Sequence, residues 1–121
     1  MLKLLKVLEL LKMSHRREKV NSLLEQEVWK IILCEIDIPP GVLVTVISAD
    51  ATDDLKEAKI MISVLPFDRS QKILEILNKN IYFIQQILNK ELRMKPVPKI
   101  SFRIDDSMEK AGRVENLLKS D

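Results

Sequence analysis

Few side chains in this 121-residue chain could do chemistry. There is one histidine, His15, and one cysteine, Cys34. They leave no His-based metal cluster, no cysteine-rich zinc site and no internal disulfide, and they argue against His-containing catalytic triads and dyads. A lone cysteine also fits a reducing, cytoplasmic setting. Two adjacent carboxylate pairs, Asp53-Asp54 and Asp105-Asp106, could in principle hold a divalent cation. Both fall in turn-like sequence, where Asp caps backbone donors, so no metal and no cofactor are expected. Glycine-rich phosphate loops are absent, which argues against nucleotide hydrolysis. What remains is a set of lysines and arginines, and the chemistry they offer is phosphate recognition.

The formal charge of +2 conceals how those cations are distributed. Residues 1 to 20 carry six basic and two acidic side chains, and residues 21 to 65 carry three and eight. Residues 66 to 103 carry eight and three, and residues 104 to 121 three and five. Positive charge concentrated in two stretches can form a basic face even on a nearly neutral protein. The same alternation would also serve simply to keep helices solvated.

Placing those charges requires the elements. Residues 1 to 13 alternate leucines with Lys3, Lys6, Glu9 and Lys12, which interrupt any run long enough for a secretion signal. Leu4, Val7, Leu8 and Leu11 share one helical face, so this stretch reads as an amphipathic extension docked on its own domain, with a membrane or a partner as alternatives. Met13 as the true start is another reading. No stretch is apolar enough to span a membrane. From residue 14, Val20, Leu23, Leu24, Val28, Ile31 and Ile32 mark a core-facing helix ending near Cys34, which is expected to be buried. Trp29 falls on that helix's surface or against a partner helix.

Pro39-Pro40-Gly41 stops the helix and launches a β-branched run, Val42 to Ala49, expected to be a strand covered on both faces. Thr52-Asp53-Asp54 turns the chain into a second strand, in which Ala58, Ile60, Ile62 and Val64 alternate with Lys59, Met61 and Ser63. The two strands should pair antiparallel. After Pro66, Asp68 and Gln71 resemble a helix-start box. Ile73, Leu74, Ile76, Leu77, Ile81, Ile84, Ile87 and Leu88 then continue helically to about Arg93. Asn78-Lys79-Asn80 is the weak point, so one long helix or two are both allowed. Tyr82 and Phe83 read as packing aromatics, and Met61 and Met94 as gap fillers. Ile100, Phe102 and Ile104 form a third strand, and Asp105-Asp106-Ser107 caps a last helix carrying Val114, Leu117 and Leu118. Three strands with helices over one face give a single two-layer α+β domain over residues 14 to 121.

Five ordered segments resemble a known family. They are Arg17-Glu18-Lys19-Val20-Asn21-Ser22-Leu23-Leu24; Val44-Thr45-Val46; Asp54-Leu55-Lys56-Glu57-Ala58-Lys59-Ile60; the run from Pro98 through Phe102 to Ser107; and Arg113-Val114-Glu115-Asn116-Leu117-Leu118. Together, from about His15 to Lys119, they resemble bacterial ribosome-binding factor A. The resemblance implies a KH-like fold of the second type. It also implies a noncatalytic assembly factor, a cytoplasmic monomer that binds the immature small (30S) ribosomal subunit and assists late maturation of 16S rRNA, including its 5′ end. An ordinary KH domain clamps nucleic acid with a Gly-rich interhelical turn, which this family replaces by an Ala-x-Gly kink. The matching positions here read Asn80-Ile81-Tyr82, with Gln85 where arginine is common.

Without small residues at the kink, charge must carry RNA binding. The candidates are Arg16, Arg17 and Lys19 on the first helix, Lys72, Lys79, Asn80 and Lys90 on the later helices, and Arg93, Lys95, Lys99 and Arg103 into the third strand. Lys90, Arg93 and Lys95 form the leading group. Neither a small-molecule substrate nor stable membrane association is expected. A KH-like protein-interaction adaptor with weakened RNA affinity is the alternative.

Overall fold

The structure is a computed structural model that describes residues 2 to 112. Helix α1 (Leu2–Glu35) runs unbroken for 34 residues, because no glycine or proline interrupts it before Pro39. Its second half buries Val20, Leu24, Val28, Ile31 and Ile32, the predicted stripe. Leu23, read as part of that stripe, is instead exposed. The chain then turns at Pro39-Pro40-Gly41, where Gly41 has φ +80°, a left-handed conformation that glycine adopts without steric cost.

Strands β1 (Leu43–Ala51) and β2 (Glu57–Leu65) form the expected antiparallel hairpin. Its loop is closed by Thr52 N–H donating to Glu57 C=O at 2.8 Å and Leu55 N–H donating to Thr52 C=O at 2.9 Å. β1 differs from its predicted two-faced burial. A bulge at Ile47, between the pairs Val46–Ile62 and Ser48–Met61, shifts the phase of alternation. Val44 and Val46 point inward before it, and Ala49 and Ala51 after it. The β-branched run is continuous in sequence, but Ile47 faces solvent and one side of the strand stays open.

After β2, a short 3-10 turn (Phe67–Arg69) leads into α2 (Ser70–Lys79). No side chain caps this start, so Asp68 does not form the predicted box. Helix α3 (Ile81–Glu91) follows α2 with only Asn80 between them, so the helical region is two helices. Ile73, Leu77, Ile84 and Leu88 are fully buried, presenting one apolar face from each helix. Strand β3 (Lys99–Ile104) returns parallel to β2, giving the sheet order β1-β2-β3. Residues 107 to 112 begin the expected last helix, and Asp105 Oδ1 accepts from Ser107 N–H at 3.0 Å and from its hydroxyl at 2.7 Å. Val114, Leu117 and Leu118 lie outside the described residues.

The helices cover one face of a mixed three-stranded sheet, an α+β arrangement of KH-like type. Phe102, Ile60, Ile62 and Ile100 from the sheet meet Leu24, Ile32, Ile73, Leu77, Ile84 and Leu88 from the helices. Each buried aliphatic or aromatic side chain of this kind contributes roughly 1.5 to 3 kcal/mol of burial free energy. Among the described residues nothing covers the other sheet face, and it carries exposed Lys59, Lys99 and Arg103.

Candidate nucleic-acid interface

The interface is best built from the contacts that bring α1 to the hairpin end of the sheet. β1 is an edge strand, and its outward N–H groups need acceptors. Two come from α1: Asn21 Oδ1 accepts from Ala51 N–H at 2.8 Å, and Glu25 Oε1 accepts from Ala49 N–H at 3.1 Å. One turn earlier, Arg17 reaches Asp50 at 2.7 Å and Asp53 at 3.2 Å. The Asp50 hydrogen bond and charge, with Asp53 adding to them, hold this guanidinium above its ordinary arginine value. Arg17 is therefore engaged within the protein. Arg16 and Lys19, its neighbours in sequence, are exposed and lie around the helix from the side that faces β1.

That end also receives the later cations. The parallel register sets Lys59 of β2 opposite Ser101 of β3. Lys99 and Arg103 flank Ser101 on the same exposed face, so three cations meet on adjacent strands. Together with Arg17 they line an open cleft of about 690 Å³ that also includes Asp50, Asp53 and Glu57. Lys90 at the end of α3, with Arg93 and Lys95 in the connection, leads directly into the start of β3, and all three are exposed. Of the candidate cations, Lys99 and Arg103 are thus brought together with Lys59 on the open sheet face, while Lys90, Arg93 and Lys95 precede them in the connection and Arg16 and Lys19 lie on α1. Lys72 is separate: it lies beside Arg69 in a groove with Pro39, Pro40 and Gly41, towards the far ends of β1 and β2.

Lys59 is the cation that sequence reasoning missed. Its alternation marked it as polar-facing, but only the β2–β3 register shows that it joins Lys99 and Arg103. The nearby acids are partly committed to the loop. Asp54 accepts from the Thr52 hydroxyl at 2.6 Å and from Lys56 N–H at 3.1 Å, and these bonds hold its carboxyl below the usual aspartate range. Asp105 is lowered in the same way by the Ser107 hydroxyl and N–H. Asp106 pairs with Lys110 at 3.2 Å. Both Asp pairs therefore work as turn and ion-pair groups.

At the α2–α3 junction the kink exists without small residues. Asn80 has φ −101° and ψ 8°, outside helical geometry. Its Nδ2 donates to Ile76 C=O at 2.8 Å, while its own N–H is shared between Ile76 and Leu77 carbonyls at 3.2 Å each. Its C=O then accepts from Ile84 N–H at 3.0 Å, which starts α3. One asparagine closes one helix and opens the next, and exposed Lys79 precedes it. Gln85 has a positioning role: Oε1 accepts from Ile100 N–H at 3.0 Å and Nε2 donates to Pro98 C=O at 3.0 Å. It acts as a surrogate strand on the free edge of β3 and fixes the segment that carries Lys99.

Several expectations change. Cys34 is exposed, because it falls on the flank of α1 beside the buried stripe. Tyr82 is 74% exposed and Phe83 45%, so neither is a core aromatic, and the Tyr82 hydroxyl accepts from Gln86 Nε2 at 2.8 Å. Trp29 is on the helix surface, as expected. Among the described side chains, the N-terminal apolar residues do not dock on the domain: Leu4, Leu5, Val7, Leu8 and Leu11 are all exposed.

Comparison with known proteins places this arrangement in a family. Residues 16–118 match the ribosome-binding factor A family. The chain belongs to that family. Ribosome-binding factor A of Akkermansia muciniphila is 37% identical over 106 residues, covering 88% of this chain and 84% of that protein. The protein of the same name from Thermodesulfovibrio yellowstonii is 38% identical over 104 residues, covering 86% and 88%. The crystal structure of ribosome-binding factor A from Thermus thermophilus is similar in fold, with a TM-score of 0.61 at 18% identity, over 73% of this chain and 94% of that one. Among the described residues of this family member, no helix is long and apolar enough to cross a membrane.

Proposed function

We propose that this protein is a noncatalytic ribosome assembly factor that binds the immature small subunit and assists late maturation of 16S rRNA, including its 5′ end. Family membership supports the ribosomal target. The observation that supports the mode of binding is the meeting of Lys59, Lys99 and Arg103 on the open face of adjacent strands, with exposed Lys90, Arg93 and Lys95 in the segment leading into β3 and none of the six in an ion pair among the described residues. Free cations spaced over one surface neutralise several phosphates and release their counterions, which gives affinity without base reading. Exposed Arg16 and Lys19 would add a separate contact on α1. Lys79 and Asn80 offer a second contact at the helix junction, and Lys72 contributes only if the rRNA reaches the far end of the sheet.

Co-sedimentation with purified small subunits tests this reading. Affinity should fall steeply between about 50 and 200 mM salt, by on the order of a hundredfold to a thousandfold when several cations each neutralise a phosphate. Lys90→Glu, Arg93→Glu and Lys95→Glu together should weaken binding at least about tenfold while leaving the thermal melt unchanged, since all three side chains are exposed. Unchanged affinity in that triple variant would exclude the patch. Salt-insensitive association that survives ribonuclease would instead favour the protein-interaction adaptor, for which exposed Tyr82 and Phe83 beside the kink provide an apolar contact.

A further inference from the structure

The first turns of α1 stand apart from the domain. Arg17 is the first residue tied to the sheet and Val20 the first buried one among the described side chains, so the helix projects by roughly 20 Å before it meets the core. At about 100° per residue, Leu4, Val7, Leu8 and Leu11 lie on one stripe, roughly 140° around the helix from the line through Leu24, Val28 and Ile31. The apolar face of the projection therefore points away from the domain it is attached to. These four side chains are 65%, 51%, 46% and 61% exposed. The family match begins at residue 16, so the projection lies outside the shared region.

The charges around the stripe select its occupant. Lys3 and Lys12 lie on its two flanks, Lys6 lies behind it, and Glu9 is the only acid in the segment. A second copy laid against this face would bring together two segments that each carry three lysines against one glutamate, with no acidic flank to receive them. An anionic bilayer surface satisfies both features: leucines enter the acyl boundary while flanking lysines reach the phosphate level. The domain, joined through the opposite face, would remain on the aqueous side without a clash. We propose that residues 2 to 12 form an interfacial helix through which this protein makes a reversible, peripheral contact with an anionic lipid surface. The segment is too short and too charged to span the bilayer, so the contact is along the surface.

Vesicle co-sedimentation of the full chain tests the proposal. Vesicles of equal parts phosphatidylglycerol and phosphatidylcholine should retain the protein, with at least tenfold weaker retention on phosphatidylcholine alone. Leu8→Gln with Leu11→Gln keeps every charge and the helix propensity. This double variant should lose vesicle binding at least tenfold while keeping the circular dichroism, the melt and small-subunit association of the parent. Retention by the double variant equal to the parent would show charge-only adhesion and overturn the proposal, as would equal retention on neutral vesicles or none on either. A concentration-dependent dimer in light scattering that the double variant abolishes would assign the stripe to a second copy and overturn it too.

Discussion

Both halves of α1 are rich in aliphatic side chains, leucines in the first and leucine, isoleucine and valine in the second, yet they meet opposite fates. From Val20 onward the apolar stripe faces the sheet and α3 and is almost wholly buried; before Arg17 the stripe faces the other way and is open. The helix is continuous, so the difference is one of phase around its axis and of what lies beside it. The lesson is that helical periodicity reports that an apolar face exists, and only tertiary placement reports what it faces. The boundary is marked by three residues, Arg17, Asn21 and Glu25, whose polar ends hold the helix to the β1 edge.

The largest effect that separates the halves is a core deletion. Leu24→Ala removes a fully buried side chain and should cost about 2 to 5 kcal/mol, on the order of 10 °C in the melt. Leu8→Ala, in the exposed half, should change stability by less than about 0.5 kcal/mol. Urea titration of the two variants at one temperature measures both. Comparable losses would mean that the projection is packed in solution and that the two halves are alike.

A smaller effect tests the boundary itself. Asn21→Ala leaves the half-buried Ala51 N–H without its acceptor and should cost about 1 to 3 kcal/mol. Asn21→Asp keeps an acceptor oxygen and should recover most of that loss. Hydrogen exchange at the Ala51 amide should accelerate in the alanine variant and stay slow in the aspartate one. If both exchange like the parent, another group satisfies that amide and the boundary lies elsewhere.

Much of the fold was legible because its signals are local. The stops at Pro39-Pro40-Gly41 and Pro66, the alternation from Ala58 to Val64, and the period of Ile73, Leu77, Ile84 and Leu88 each follow from a few neighbouring residues. The phase shift at Ile47 was not legible, since a bulge depends on the partner strand while the sequence shows only an unbroken β-branched run. The candidate interface divides in the same way. Lys90, Arg93, Lys95 and Lys99 are close in sequence and follow one another into β3. Lys59 joins them only through a parallel register between strands separated by two helices. Arg17 looked like a free cation until the hairpin brought Asp50 and Asp53 against it. The asparagine kink was open in the sequence, because Asn80 suits both an interrupted and a continuous helix until its side chain is seen closing the Ile76 carbonyl.

The smallest expected effect concerns Arg17. Its two ion pairs look prominent, but Arg17 is 41% exposed at its side chain and its partners 61% and 91%, where solvent screens such pairs and they add little to stability. Arg17→Ala should therefore lower stability far less than Asn21→Ala one turn later. The difference between parent and variant should shrink in about 1 M salt, where screening acts over roughly 3 Å. A loss as large as that of Asn21→Ala would move the boundary of the packed half one turn towards the N-terminus. A small, salt-erased loss would leave Asn21 and Glu25 as the groups that fix α1, with Arg17 setting only the local charge beside Lys59, Lys99 and Arg103.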